Sequence, residues 1–179
     1  VFTSGATESI AAASFGAVQR SVSRTGSRES HVVYSAVEHS AVREWARRSE
    51  HTEVGVDPLG RVDPAELLGA ITAKTSLVHL QWGNHEVGTL QPVNEVAEGC
   101  GNLDLLLHVD AAQAVGRVEL NFASLGADLM SVCAHKFGGP PGVGALLIRK
   151  GLRIEPLLVG GEQERARRGG MENLPAILG

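Results

Sequence analysis

Short apolar runs of strand length alternate along this chain with longer stretches whose apolar residues recur at helical spacing. Val1–Ser4 reads as the end of a strand, and Ala6 to about Arg24 as a helix with Ile10, Ala13, Ala17 and Val18 on one stripe. "HVVYSAV" from His31 predicts the next strand and "SAVREWARRS" from Ser40 the next helix. After strand-like "HTEVGV", Asp63 and Pro64 open a helix through Ile71, the Asp as N-cap and the Pro at the first helical position. "TSLVHLQW" then predicts a strand, "VNEVAEG" a short helix, and "LDLLLHVD", "ADLMSVC" and "GVGALLIRK" three further strands.

Several of these strand runs are apolar without alternation, so both of their faces are buried. Buried strands separated by helices predict an α/β fold: a three-layer αβα sandwich around a mainly parallel sheet. In such sheets ligands gather at the carboxyl ends of the strands. No internal repeat, low-complexity tract or linker interrupts the 179 residues.

Composition narrows the function. A hydrophobic share of 43% with 20% charged residues is ordinary for one globular domain, and a formal charge of -4 argues against a nucleic-acid partner. Arg165, Arg167 and Arg168 form one local basic cluster, which on charge alone reads as a solvated loop. No apolar run reaches membrane-spanning length, so no membrane partner is expected. The two cysteines, Cys100 and Cys133, make no disulfide framework and fit a reducing cytoplasm. The opening "VFTSGATES" begins inside a strand, from which we expect missing sequence upstream.

Four strand ends carry polar residues: "TSGATES", "SAVEHS", "LLLHVDAAQ" and "SVCAHK". At Gly5, Ala6 and Thr7 a strand gives way to a helix, whose free N–H groups and dipole make a seat for an anion. Asp110 closes so apolar a run that its carboxylate calls for a cationic partner. Gln113 follows one turn later. Only three of the sixteen lysine and arginine residues are lysine, and one of them, Lys136, stands beside His135 between an apolar strand and the turn "FGGPPGVG". An amine desolvated there becomes a nucleophile toward an aldehyde.

Each feature has an ordinary structural alternative when taken singly: a helix cap, an Asp capping the next turn, a lysine reaching out of a loop, a hydrogen-bonded His39. "GGPPGVG" is no phosphate loop, because its lysine precedes the glycines. Cys133, His135, His39 and His85 show no recognised metal-ligand spacing. Taken together, an anion seat, an acid and an amine ask for an aldehyde with a phosphate and a ring nitrogen. Pyridoxal 5′-phosphate has all three.

"FTSGATES", "VEHSAV", "NHEVGTLQPV", "HVDAAQAVG", "AHKFGGPPGVGALLIRKG" and "GGEQERARRGGMEN" resemble, in order and spacing, the cysteine desulfurases of the NifS and IscS type and the related selenocysteine lyases. These belong to the class V aminotransferase group of fold-type I pyridoxal-phosphate enzymes. The resemblance implies that residues 1–179 are the cofactor-binding large domain, incomplete at both ends and without the small C-terminal domain. It further implies that Lys136 forms the Schiff base, Asp110 pairs with the ring nitrogen, and Gln113 bonds the ring hydroxyl. His39 would stack on the ring, while Ala6, Thr7 and His135 would hold the phosphate.

Three positions depart from the family pattern. His85 replaces the second Asn of Asn-Asn-Glu, which reaches the cofactor hydroxyl and the substrate carboxylate. Cys133 stands where many relatives have a phosphate-binding serine, and Met171 where a threonine of the neighbouring subunit often serves. A thiol donates weakly and a thioether not at all, so weaker phosphate anchoring is expected. The resemblance also implies a homodimer, an L-cysteine substrate and a sulfur-acceptor protein serving iron–sulfur cluster assembly. The persulfide cysteine and the carboxylate-binding arginine are expected downstream of residue 179. Selenocysteine lyase, another class V activity, or a non-catalytic dimerisation module are the alternatives.

Overall fold

The computed structural model describes residues 1–179, and seven strands form one sheet in the order β1-β7-β6-β5-β4-β2-β3. The chain runs β1 (Phe2–Thr3), α1 (Ala6–Thr25), β2 (His31–Ser35), α2 (Ser40–Ala46), β3 (Glu50–Val54), α3 (Pro64–Gly69), β4 (Thr75–Gln81) and α4 (Val93–Asn102). It continues through β5 (Leu107–Asp110), α5 (Phe122–Leu125), β6 (Leu129–Cys133), a 3-10 turn at Ala134–Lys136, β7 (Gly144–Ile148), α6 (Gln163–Ala166) and α7 (Leu174–Leu178).

Strands β3, β2, β4, β5 and β6 are parallel neighbours. β7 is antiparallel to both β6 and β1, so the sheet is mainly parallel with one reversed strand. The α/β sandwich expected from the apolar runs is therefore the fold.

Helices cover both faces because both faces are apolar. On one side α3 and α4 bury Leu67, Val93, Val96 and Ala97 against Val78, Leu80, Leu107 and Val109. On the other, α1 sets Ile10 beside Val32, Tyr34 and Val42, and Ala13 and Ala17 beside Leu77, Leu129 and Leu146. Burying a leucine or valine side chain contributes about 1.5–3 kcal/mol, so these two layers dominate the stability.

Helix ends follow the local chemistry. Asp63 Oδ1 accepts the Ala65 N–H at 2.7 Å with Pro64 next to it, as the sequence predicts, although α3 ends at Gly69 rather than Ile71. Strand ends fall short of their apolar runs for the same reason: only residues with a ladder partner extend, so β2 stops at Ser35. α4 runs on to Asn102, three residues past Gly99, where "VNEVAEG" ends.

The two sheet edges differ from the core strands. β1 is two residues long, and β3 presents Glu50, His51, Thr52 and Glu53, of which only Thr52 is half-buried. Lys74 Nζ pairs with Glu29 at 2.9 Å and Glu50 at 3.9 Å beside that edge. An edge strand carrying charges is a poor template for another strand.

Candidate active site

The carboxyl ends of β1, β4, β5 and β6 and the start of α1 enclose a cavity of about 320 Å³. Ala6, Thr7, His39, His85, Asp110, Gln113, Cys133, His135 and Lys136 all line it, as do Ser4, Gly5, Glu8, Gln81, Gly83 and Ala112. Nine of the ten residues singled out from the sequence thus meet around one space. The tenth, Met171, lies outside it with its side chain 87% exposed.

The anion seat depends on glycine twice. Gly5, the N-cap of α1, has φ 154 and ψ -179, a region open essentially to glycine alone. A Cβ on Gly144 would stand 2.6 Å from the Val132 carbonyl oxygen and 2.7 Å from Gly5 Cα. Helix α1 starts against the sheet only because β7 has no side chain at that point. No side chain caps Gly5, so the first N–H groups of α1 stay available to a ligand. Thr3 and Ser9 share a buried hydrogen bond of 2.8 Å behind this turn.

Asp110 is 7% exposed at the end of β5. Its Oδ1 accepts the Ala112 N–H at 3.0 Å, the local turn that was the ordinary alternative. That bond leaves the second oxygen for another partner. Burial pushes the carboxyl above the usual carboxylate range, against the pull of the Ala112 bond and of His39 and His85.

His39 Nδ1 accepts the Ala41 N–H at 3.1 Å, capping α2 and placing the ring proton on Nε2. The imidazole is therefore both a structural cap and a wall of the cavity. Lys136 sits half-buried in the 3-10 turn that follows β6, three residues past the last ladder pair. Gln113 lies in the turns after β5 rather than on a helix.

Arg117, which sequence reasoning passed over, ties these two segments together. Its Nη1 donates to the Gln113 carbonyl at 3.1 Å and its Nη2 to the Lys136 carbonyl at 2.9 Å. Gln81 and Glu38 were also missed. Gln81 Nε2 donates to the Val37 carbonyl, and its backbone N–H donates to Glu38 Oε1 at 2.6 Å. The available signal was polarity at the end of an apolar strand, the same signal that picked out Asp110. Arg168 departs from the solvated loop its charges suggested: its Nε and Nη2 donate to Glu8 at 2.9 and 3.3 Å.

Neither thiol is an activated nucleophile. Burial pushes Cys100 up to about 12 and raises Cys133 as well, so both stay protonated at neutral pH. Cys133, 1% exposed, borders the seat formed by Ala6 and Thr7.

The sequence profile described as Aminotransferase class-V matches residues 1–175. A protein named cysteine desulfurase IscS from Methanosarcina thermophila is 42% identical over 99% of this chain, covering 44% of its own length. Its namesake from Dictyoglomus turgidum is 43% identical over the whole chain and 46% of its own length. Among solved structures, a NifS-like protein superposes with a TM-score of 0.89 at 38% identity, covering 99% of this chain and 50% of that one. SspA in complex with cysteine superposes with a TM-score of 0.93 at 29% identity, covering 99% and 52%. The chain thus spans about half the length of the relatives it matches.

Proposed function

The chain belongs to the class-V aminotransferase family, and from that membership we propose that it is the cofactor-binding part of a pyridoxal-phosphate-dependent cysteine desulfurase. The observation that carries the proposal is the meeting of an uncapped helix N-terminus, Asp110 and Lys136 around one cavity. The fit to pyridoxal 5′-phosphate is chemical: an N–H seat for a phosphate, a carboxyl with one unused oxygen for a ring N–H, and an amine for an aldehyde. A cavity of about 320 Å³ is of the size that holds a small ligand.

When bound, pyridoxal 5′-phosphate supplies an electron-accepting ring joined to the amino group of an amino acid. The residues of this chain would divide the remaining work. The N–H groups of Ala6 and Thr7, with His135, would hold the phosphate. Asp110 would keep a proton on the ring nitrogen, and Gln113 would bond the ring hydroxyl. His39 would lie against the ring, its orientation fixed by the bond to Ala41. Lys136 Nζ would anchor the aldehyde carbon and then move a proton at the substrate amino acid. His85 would border the substrate's carboxylate.

L-cysteine is the proposed substrate, with sulfur passed to an acceptor protein for iron–sulfur cluster assembly. The relatives named cysteine desulfurase and the NifS-like fold support this reading. Neither Cys100 nor Cys133 suits the sulfur-accepting role, which we assign to none of residues 1–179. A homodimer is proposed as the working form, with Met171 facing the partner's site. No helix is long and apolar enough to cross a membrane. A cytoplasmic location is proposed from the likeness to the proteins named cysteine desulfurase.

Borohydride reduction of the full-length protein, followed by peptide mass measurement, tests the proposal. A pyridoxyl group on the peptide carrying Lys136, absent from Lys136→Ala, is the expected result. A label on Lys74 or Lys150, or none, overturns it. Alanine release from L-cysteine compared with L-selenocysteine then separates the desulfurase from its sister activity.

A further inference from the structure

Glu38 is 3% exposed in the turn between β2 and α2. One of its oxygens, Oε1, accepts the Gln81 N–H at 2.6 Å; the other, Oε2, is buried without any hydrogen-bond partner. An ionised carboxylate accepts at roughly four lone-pair positions, and a buried one left with a single donor is costly. A neutral acid needs far less: an acceptor oxygen for Gln81 and one idle hydroxyl.

Gln81 stands opposite Asp110 in the ladder of β4 and β5, and the next amide, Trp82 N–H, donates to the Asp110 carbonyl at 2.8 Å. Two carboxyl groups therefore sit on either side of the end of β4, Glu38 in the turn after β2 and Asp110 at the end of β5, with Gln81 between them. An ionised Asp110 there adds to the cost of a second charge on Glu38. Arg43 of α2 is the cation that acts on Glu38, the two lining one cleft; His39 and His85 act on Asp110 instead. Asp110 also has the Ala112 N–H and an opening onto the cavity.

We propose that Glu38 is a positioning residue for Asp110: a neutral acid that holds the end of β4 through Gln81 and leaves Asp110 as the one carboxyl there free to become an anion. Burial raises the Glu38 carboxyl well above the usual range, the Gln81 bond and Arg43 oppose this, and the charge of Asp110 reinforces it. The consequence for the cofactor rests on the function proposed above. With the proton on Glu38, the charge belongs to Asp110, which is the residue placed to meet a ring nitrogen.

Infrared difference spectra between the cofactor-free full-length protein and its Glu38→Gln variant at neutral pH read the protonation state directly. The carbonyl stretch of a protonated carboxylic acid, lost in Glu38→Gln, is expected; a loss of carboxylate bands instead overturns the proposal. Pyridoxal phosphate retention gives a second reading. Glu38→Ala, which orphans the Gln81 N–H, is expected to weaken binding at least about fivefold, and Glu38→Gln to restore it to within about twofold. Equal losses in both variants show that a charge is needed and contradict a neutral Glu38. Failure of the parent protein to bind pyridoxal phosphate would count against the cofactor assignment and leave the infrared result standing.

Discussion

Arg168 grips Glu8 with two parallel hydrogen bonds, Nε to Oε1 at 2.9 Å and Nη2 to Oε2 at 3.3 Å, across 160 residues of sequence. Glu8 also accepts the Ser4 N–H at 2.8 Å, so one carboxylate fastens the C-terminal segment to the turn that opens α1. Burial alone would raise the Glu8 carboxyl, but its bonds to Arg168 and Ser4 outweigh that and hold it below its ordinary value.

A group lowered in this way stabilises the fold above its unfolded value, and that contribution disappears as pH falls through the folded one. Arg168→Ala is therefore expected to cost about 1 kcal/mol at pH 7. The difference from the parent should shrink as the pH drops below about 4. Chemical denaturation of the two proteins at pH 7 and pH 3.5 measures it. A gap that stays constant across that range would show packing, not charge, to be what Arg168 contributes.

Cys133 brings a weak donor to the rim of the anion seat, where a hydroxyl would bond a phosphate oxygen directly. Cys133→Ser is expected to slow loss of pyridoxal phosphate on dialysis of the full-length protein by about fivefold, the equivalent of one neutral hydrogen bond near 1 kcal/mol. Absorbance of the bound cofactor during dialysis reports it. Unchanged loss would remove the thiol from any part in anchoring.

Beneath the site a chain of buried polar groups crosses three strands. His79 Nε2 meets Ser14 Oγ at 3.1 Å, its Nδ1 meets His108 Nδ1 at 2.8 Å, and His108 Nε2 meets Ser131 Oγ at 2.7 Å. Both rings are fully buried. Desolvation lowers His79 to about 3 and, with His79 beside it, lowers His108 well below its usual value. A histidine lowered on folding binds its proton better in the unfolded chain, so stability falls as pH drops below the unfolded value near 6.5.

Each ring should contribute a slope of up to about 1.4 kcal/mol per pH unit below pH 6. His79→Ser is expected to reduce the loss of stability between pH 6 and pH 5 by up to about 1.4 kcal/mol, because it removes one buried ring, and unfolding free energies of parent and variant at the two pH values test this. An unchanged slope would place the acid sensitivity elsewhere.

Much of this architecture was legible because it is written in local pattern. The run Leu105–Val109 has no polar residue to turn outward except His108, so a strand buried on both faces was its one economical reading. Asp63 before Pro64 announced a helix start through chemistry confined to three residues. The cavity was legible for a similar reason: Asp110 and Lys136 are each out of place beside apolar strands.

What stayed hidden depends on partners distant in sequence. Glu38 gave no sign of burial, because its neighbour Gln81 is 43 residues away. Arg168 read as solvated because Glu8 is 160 residues away. His79 and His108 each looked like an oddity in a strand, and only adjacency of β4 and β5 makes them a pair.

The charged border along β3 has a consequence for how such molecules can associate. Adding a further strand there would require stripping water from Glu50, His51 and Glu53, with no opposite charges waiting on the newcomer if it were an identical β3. The β3 border is thus a poor place for two copies to join strand to strand, and the cost of drying three charged or polar side chains steers contact away from it.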